Sequence, residues 1–126
     1  MNLNQVTIPS VDLERSIEFY QNLGLNLIVK ALPHYARFEV PDGDATFSLH
    51  LVDQLPQGEG ITIYFESDRL DAWVEELLAK GIEFEEMPED RPWLWREARL
   101  WDPDGNNLVL YFAGKNRKNP PWRINT

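Results

Sequence analysis

The sequence predicts an α+β fold built from two tandem βαβββ modules. The chain repeats itself, and within each repeat the apolar spacing passes from a period of two to a helical period and back. Moved by 57 residues without a gap, the segment from Gln5 falls on that from Thr62. Val6 then meets Ile63, Ile8 meets Phe65, Leu13 meets Leu70, Ile17 meets Val74, Tyr20 meets Leu77 and Gly24 meets Gly81. Pro-Asp-Gly also recurs, at 41–43 and 103–105. Chance can align a few apolar residues in two strands, but coincident glycines and turn triplets point to duplication.

Each element follows in order. Val6 and Ile8 alternate with Gln5 and Thr7, as in a strand with one apolar face. Leu13, Ile17, Tyr20 and Leu23 recur at helical spacing behind Ser10 or Asp12 as caps, and Gly24 stands where a left-handed helix end favours glycine. Three short strands follow at about 25–30, 35–40 and 45–52. In the second half Ile61, Ile63 and Phe65 alternate. Ser67 or Asp68 can cap a helix carrying Leu70, Val74, Leu77 and Leu78, closed by Gly81. The last three strands are expected at 82–86, 96–101 and 107–112, with Met87–Pro92 as a polar loop. A half of ~55 residues is marginal by itself, so the two are expected to share one large sheet with the helices on its outer face. Module 1 then spans 3–54, module 2 spans 60–112, and 113–126 is an extended arm that Trp122 and Ile124 pin to the body or to a second subunit. All of it belongs to one domain, 1–126.

Composition narrows the function. The chain has 126 residues, 43% hydrophobic and 26% charged, with no cysteine; thiolate metal sites, disulfides and cysteine nucleophiles are excluded. The net charge is −9. All four basic residues after 112 lie in the arm, so residues 1–112 carry eight basic against twenty-one acidic side chains. So negative a body argues against nucleic-acid and membrane partners. With no apolar run near the ~20 residues of a span and no basic or apolar leader, a cytoplasmic protein is expected.

The tandem unit resembles the vicinal oxygen chelate superfamily, which includes glyoxalase I, extradiol dioxygenases, fosfomycin-resistance enzymes and bleomycin-resistance proteins. The motifs that carry the resemblance are Val11-Asp12-Leu13-Glu14-Arg15-Ser16 with Phe19-Tyr20 and Leu23-Gly24-Leu25, then Lys80-Gly81-Ile82, and above all Asp102-Pro103-Asp104-Gly105-Asn106. It implies a strongly curved mixed sheet of glyoxalase type, with helices on the convex face, and often a homodimer. In members that use a metal, the first and fourth strands of each half supply four ligands. Those positions fall here on Gln5, on His50 or Ser48, on Thr62 and on Val109. One amide, one imidazole, one hydroxyl and one valine do not make a divalent-metal site, which wants about three His or carboxylate donors. Val109 also stands where the proton-shuttling glutamate would be. No cofactor is therefore expected. A divalent metal held by Gln5, His50 and an unusual carboxylate such as Glu97 or Glu66 is the rival, and would make the protein a lyase, isomerase or dioxygenase with His50 and Glu97 as catalytic candidates.

Alternation assigns Val6, Ile8, Phe47, Leu49, Leu51, Ile63, Phe65, Leu108, Leu110 and Phe112 to the helix side. The opposite face is then lined by Gln5, Thr7, Ser48, His50, Thr62, Tyr64, Glu66, Val109 and Tyr111, polar but nearly uncharged, as suits a small organic molecule. Trp93 and Trp95 would lie on one side of an extended segment and could cover such a ligand. Trp101 is expected to pack, and Glu97 and Arg99 to pair with cross-strand neighbours, among them Arg37 and Glu39. His34 reads as a surface loop residue. The leading expectation is a groove that binds a small molecule without a complete metal site, of bleomycin-resistance type.

Overall fold

A computed structural model describes residues 1–124. Its elements run β1 (Gln5–Ser10), α1 (Leu13–Leu23), β2 (Asn26–Ala31), β3 (Tyr35–Glu39), β4 (Thr46–Leu51), β5 (Thr62–Glu66), α2 (Leu70–Ala79), β6 (Glu86–Asp90), β7 (Arg96–Trp101) and β8 (Asn107–Phe112), so strand-helix-three-strands occurs twice. The chain forms two compact units. Unit 1 is Met1–Gly60 together with the turn Asp102–Gly105; unit 2 is Ile61–Trp101 with the residues from Asn106 onward.

Hydrogen bonding gives each unit its own four-stranded mixed sheet, ordered β1-β4-β3-β2 and β5-β8-β7-β6, rather than the one large sheet expected. The topology explains this. The helix is the crossover that a parallel partner requires, and the meander after it returns the chain beside its own first strand. Thus β4 pairs parallel with β1 and β8 with β5, while the remaining pairs are antiparallel.

In unit 1, α1 begins where Asp12 accepts a hydrogen bond from the Arg15 amide at 3.2 Å. It ends at Gly24, φ +122°, where the Leu25 amide donates to the Tyr20 carbonyl. Leu13, Ser16, Ile17, Tyr20 and Leu23 form its buried face. Tyr20 packs against Phe38 and Phe47, with ring centroids 6.1 and 4.6 Å away. Ile8, Ala36 and Leu49 complete a core closed to solvent, where each large apolar side chain contributes ~2 kcal/mol by transfer from water. The Tyr20 hydroxyl donates to Asp102 at 2.5 Å. Asp104 accepts from the Val11 amide at 3.1 Å and from Ser16 at 2.7 Å, and Ser16 also bonds Ser10 at 2.8 Å. The acids of the Pro-Asp-Gly turn therefore serve as acceptors for buried donors around α1.

Unit 2 departs from its twin in several places. Neither Ser67 nor Asp68 caps α2: the position before the helix is Arg69, without a side-chain cap, and the Ser67 hydroxyl instead accepts from the Arg69 amide. The sixth strand lies at 86–90, sharing only Glu86 with the strand expected at 82–86 and otherwise inside the stretch expected to be a loop. It is the outer strand of its sheet, where the missing N–H of Pro88 is tolerated, and its register breaks between Glu86 and Glu89. Leu70, Val74, Leu77, Phe65, Leu100, Leu108 and Leu110 are buried. Val6, Leu51 and Phe112, expected on the helix side, are exposed at strand ends, as is Trp101. Trp122 and Ile124 are exposed as well and so do not pin the arm to the body of the chain. Its first residues are held differently: the Ala113 and Gly114 amides both donate to Glu66 at 2.9 Å, and Arg117 lies 3.8 Å from the same carboxylate. No helix among the described residues is long and apolar enough to cross a membrane.

Candidate functional site

Each sheet has a face turned away from its helix, and the predicted site residues divide between the two. In unit 1 that face carries Gln5, Thr7, Ser48 and His50, because Ile8, Phe47 and Leu49 occupy the other parity. Gln5, Thr7 and His50 are exposed. Gln5 accepts from the Thr46 hydroxyl at 2.7 Å. Ser48 is fully buried and bonds the Tyr35 hydroxyl at 2.7 Å, so it positions a neighbour rather than facing solvent. Tyr35 pairs with His50, and Arg37 with Ser48, across β3 and β4. The Arg37 Nε donates to Tyr35 Oη at 2.9 Å, and the guanidinium lies 5.4 Å from the ring centroid. Partial burial tends to raise the Tyr35 pKa, but the hydrogen bonds from Ser48 and Arg37 and the Arg37 charge outweigh it and leave the phenol below its ordinary value.

Tyr35 and Arg37 are the site residues that sequence reasoning missed. A signal exists in the alternation of Tyr35-Ala36-Arg37-Phe38-Glu39: Ala36 and Phe38 are buried, so 35, 37 and 39 face the other way. Glu39 accepts from Asn26 at 3.3 Å. Arg99 lies 3.9 Å from Glu86, so the pairings expected among Glu97, Arg99, Arg37 and Glu39 are replaced by contacts within each sheet. His34 is exposed in the β2–β3 turn, as expected.

In unit 2 the face is aromatic. Trp95 stacks on Tyr111, with centroids 4.5 Å apart and planes 17° from parallel. Tyr64 meets both rings edge-on at 6.0 and 5.7 Å and keeps half its surface exposed. Val109 and Ala113 pack beneath this cluster, and the Trp95 indole N–H donates to the Asn116 carbonyl at 3.3 Å. Burial, with Glu66 nearby, raises the Tyr111 pKa against the opposing charge of Arg117. The tryptophans are not on one extended segment. A turn closes between them, with the Leu94 amide donating to Arg91 and Leu94 at φ +67°. They nevertheless reach adjoining positions, because Trp93 donates to Glu97 at 2.5 Å and Glu97 is the cross-strand partner of Tyr111. Thr62 accepts from Asn107 at 3.2 Å.

The donors do not fit a divalent metal. Among the described residues no group of three or more His, Asp or Glu side chains is placed to hold one. Val109 is fully buried and apolar. The carboxylates named as substitutes are engaged, Glu97 by Trp93 and Glu66 by the Ala113 and Gly114 amides. Open depressions of about 360 and 340 Å³ occur at the starts of α1 and α2, and neither contains a predicted site residue.

The sequence model of the glyoxalase/bleomycin resistance protein/dioxygenase superfamily matches residues 2–110. No curated protein matches the chain. Among solved structures, a glyoxalase/bleomycin resistance protein/dioxygenase from Nocardioides is 26% identical, with a TM-score of 0.78 over 99% of this chain and 90% of its own. Lactoylglutathione lyase from Agrobacterium tumefaciens is 20% identical, TM-score 0.74, covering 88% and 92%. A bleomycin-binding protein in complex with bleomycin is 20% identical, TM-score 0.74, covering 89% and 98%. At 20% identity these last two likenesses speak for the fold alone.

Proposed function

The chain belongs to the glyoxalase/bleomycin resistance protein/dioxygenase superfamily, and on that premise we propose that it binds a small organic molecule through hydrogen bonds and aromatic contact, without a complete metal site. The observation that carries this reading is the makeup of the helix-free faces. Where chelating members of the superfamily place ligands, this chain has an amide bonded to Thr46, a hydroxyl bonded to Asn107, an exposed imidazole and a buried valine. The face of unit 2 also carries the Trp95–Tyr111 stack and the exposed rings of Tyr64 and Trp93. Such surfaces suit a planar ligand with polar edges, and a bleomycin-binding protein shares the fold.

Gln5, Thr7 and His50 are the exposed hydrogen-bonding groups in unit 1, and Thr62, Tyr64, Trp93, Trp95 and Tyr111 serve in unit 2. Ser48 acts through Tyr35. The reading includes a cytoplasmic homodimer, which sedimentation of the purified chain tests for its assembly. The test of the function is tryptophan fluorescence against planar aromatic and carbonyl compounds. Saturable quenching that disappears in Trp95→Phe supports it; a panel that leaves the emission unchanged overturns it. If His50→Ala abolished both a bound metal and an activity, the metal-dependent enzyme would replace this reading.

A further inference from the structure

We propose that Arg37, held by Tyr35 and Ser48, is a carboxylate-binding subsite on the helix-free face of unit 1, so that the ligand is an organic acid. The inference rests on the small-molecule reading above and adds the class of ligand. Charge sets Arg37 apart from the other arginines except Arg123, which bonds the Lys118 carbonyl and Asn119. Arg15, Arg69, Arg91, Arg96 and Arg99 each lie within 3.9 Å of a carboxylate. Arg37 has no such partner among the described residues. Its Nε is committed to a phenol, which leaves its Nη donors without an acceptor among the described residues. A half-buried arginine without a carboxylate partner among the described residues can receive one from a ligand.

The arginine is also held in place. Ser48, fully buried, bonds Tyr35; Tyr35 accepts from Arg37 and lies under its guanidinium. Restricting a guanidinium this way reduces the side-chain entropy lost when a planar anion docks on it. The surroundings suit an anion despite the chain's negative charge. Along β1, β4 and β3 this face presents Thr7, Ser48, His50 and Tyr35, and its one acid, Glu39, accepts from Asn26. A bidentate arginine–carboxylate contact adds direction as well as charge.

Two isosteric probes test this, 2-naphthoate and neutral 2-naphthamide, titrated into isotope-labelled protein while its amide and arginine Nε–H signals are followed by NMR. Naphthoate is expected to bind about tenfold tighter or more, the worth of one charge-assisted contact, and to shift the Arg37 Nε–H signal. The preference should vanish in Arg37→Gln and persist in Lys30→Gln, which removes an equal charge from the same sheet. If Arg37→Gln does not fold, Tyr35→Phe serves instead, expected to weaken naphthoate while leaving naphthamide unchanged. Equal affinity for the two probes, or a preference that survives Arg37→Gln, overturns the subsite and leaves the small-molecule reading standing. Failure of both probes to bind overturns the subsite, and a silent fluorescence panel would then remove the broader reading.

Discussion

The two units share one topology and differ in what they place on and under the sheet. Unit 1 has a capped helix, a buried tyrosine bonded to an aspartate, and a helix-free face built on an arginine and a phenol. Unit 2 has an uncapped helix, Leu77 where unit 1 has Tyr20, and a face of stacked rings. Duplication therefore preserved the pattern of burial, which folding requires, while the groups that meet ligands diverged; fold alone does not determine function.

Breaking the buried polar contact in unit 1 should show the largest difference. Asp102→Ala leaves the Tyr20 hydroxyl buried without its acceptor and removes the acceptor of the Asp104 amide. The expected loss is about 3 kcal/mol by denaturant titration, with no counterpart at Leu77. In unit 2 the matching vulnerability is the stack. Trp95→Ala should cost about 2 kcal/mol and loosen the segment that Asn116 anchors, seen as faster amide exchange at 114–117. Trp93→Ala, which takes the indole donor from the buried Glu97 carboxylate, should cost about 1 kcal/mol or more.

Helix starts sharpen the comparison with a smaller effect. Asp12→Ala should destabilise by about 1 kcal/mol, and Arg69→Asp, which supplies the cap that α2 lacks, should stabilise by a similar or smaller amount. Both are read from thermal or denaturant midpoints.

The phenols separate the units by pH. Burial first, then the Asp102 charge and hydrogen bond, raise the Tyr20 pKa far above the ordinary value. Its contribution to stability is therefore complete below the unfolded tyrosine value of ~10 and declines as pH rises beyond it, because only the unfolded chain then ionises there. Tyr20→Phe should flatten that alkaline limb. Tyr35 is shifted down, so it should be the first tyrosine to ionise in an ultraviolet titration. That earliest step should be absent in Tyr35→Phe and move upward in Arg37→Gln.

The strands, helices and core were legible where one periodicity ruled: Leu13, Ile17, Tyr20 and Leu23 could only be one face of a helix. β6 was obscure because Pro88 and three acids carry no apolar alternation, and only its place at the sheet edge makes it a strand. The anchoring of the arm by Glu66 joins residues 47 apart, and no local pattern reports it. In unit 1, parity set Gln5, Thr7 and His50 opposite Ile8, Phe47 and Leu49, and the first three are exposed while the last three are buried. It gave no sign that Ser48 would be buried against Tyr35, since that depends on the side chain of the neighbouring strand. The turn between Trp93 and Trp95 was hidden too, because it needs Leu94, a residue not suited to positive φ, in a left-handed conformation.

The most direct measurement is binding of the planar aromatic compound that responds best in the fluorescence panel, followed by tryptophan emission with and without EDTA, in the wild type and in Trp95→Phe. Saturable binding with the same affinity in chelator, its signal lost in Trp95→Phe, is the expected result. Binding that appears only after a divalent metal is added, and vanishes with EDTA, would contradict recognition by hydrogen bonds and aromatic rings and return the protein to the metal-dependent branch of its superfamily.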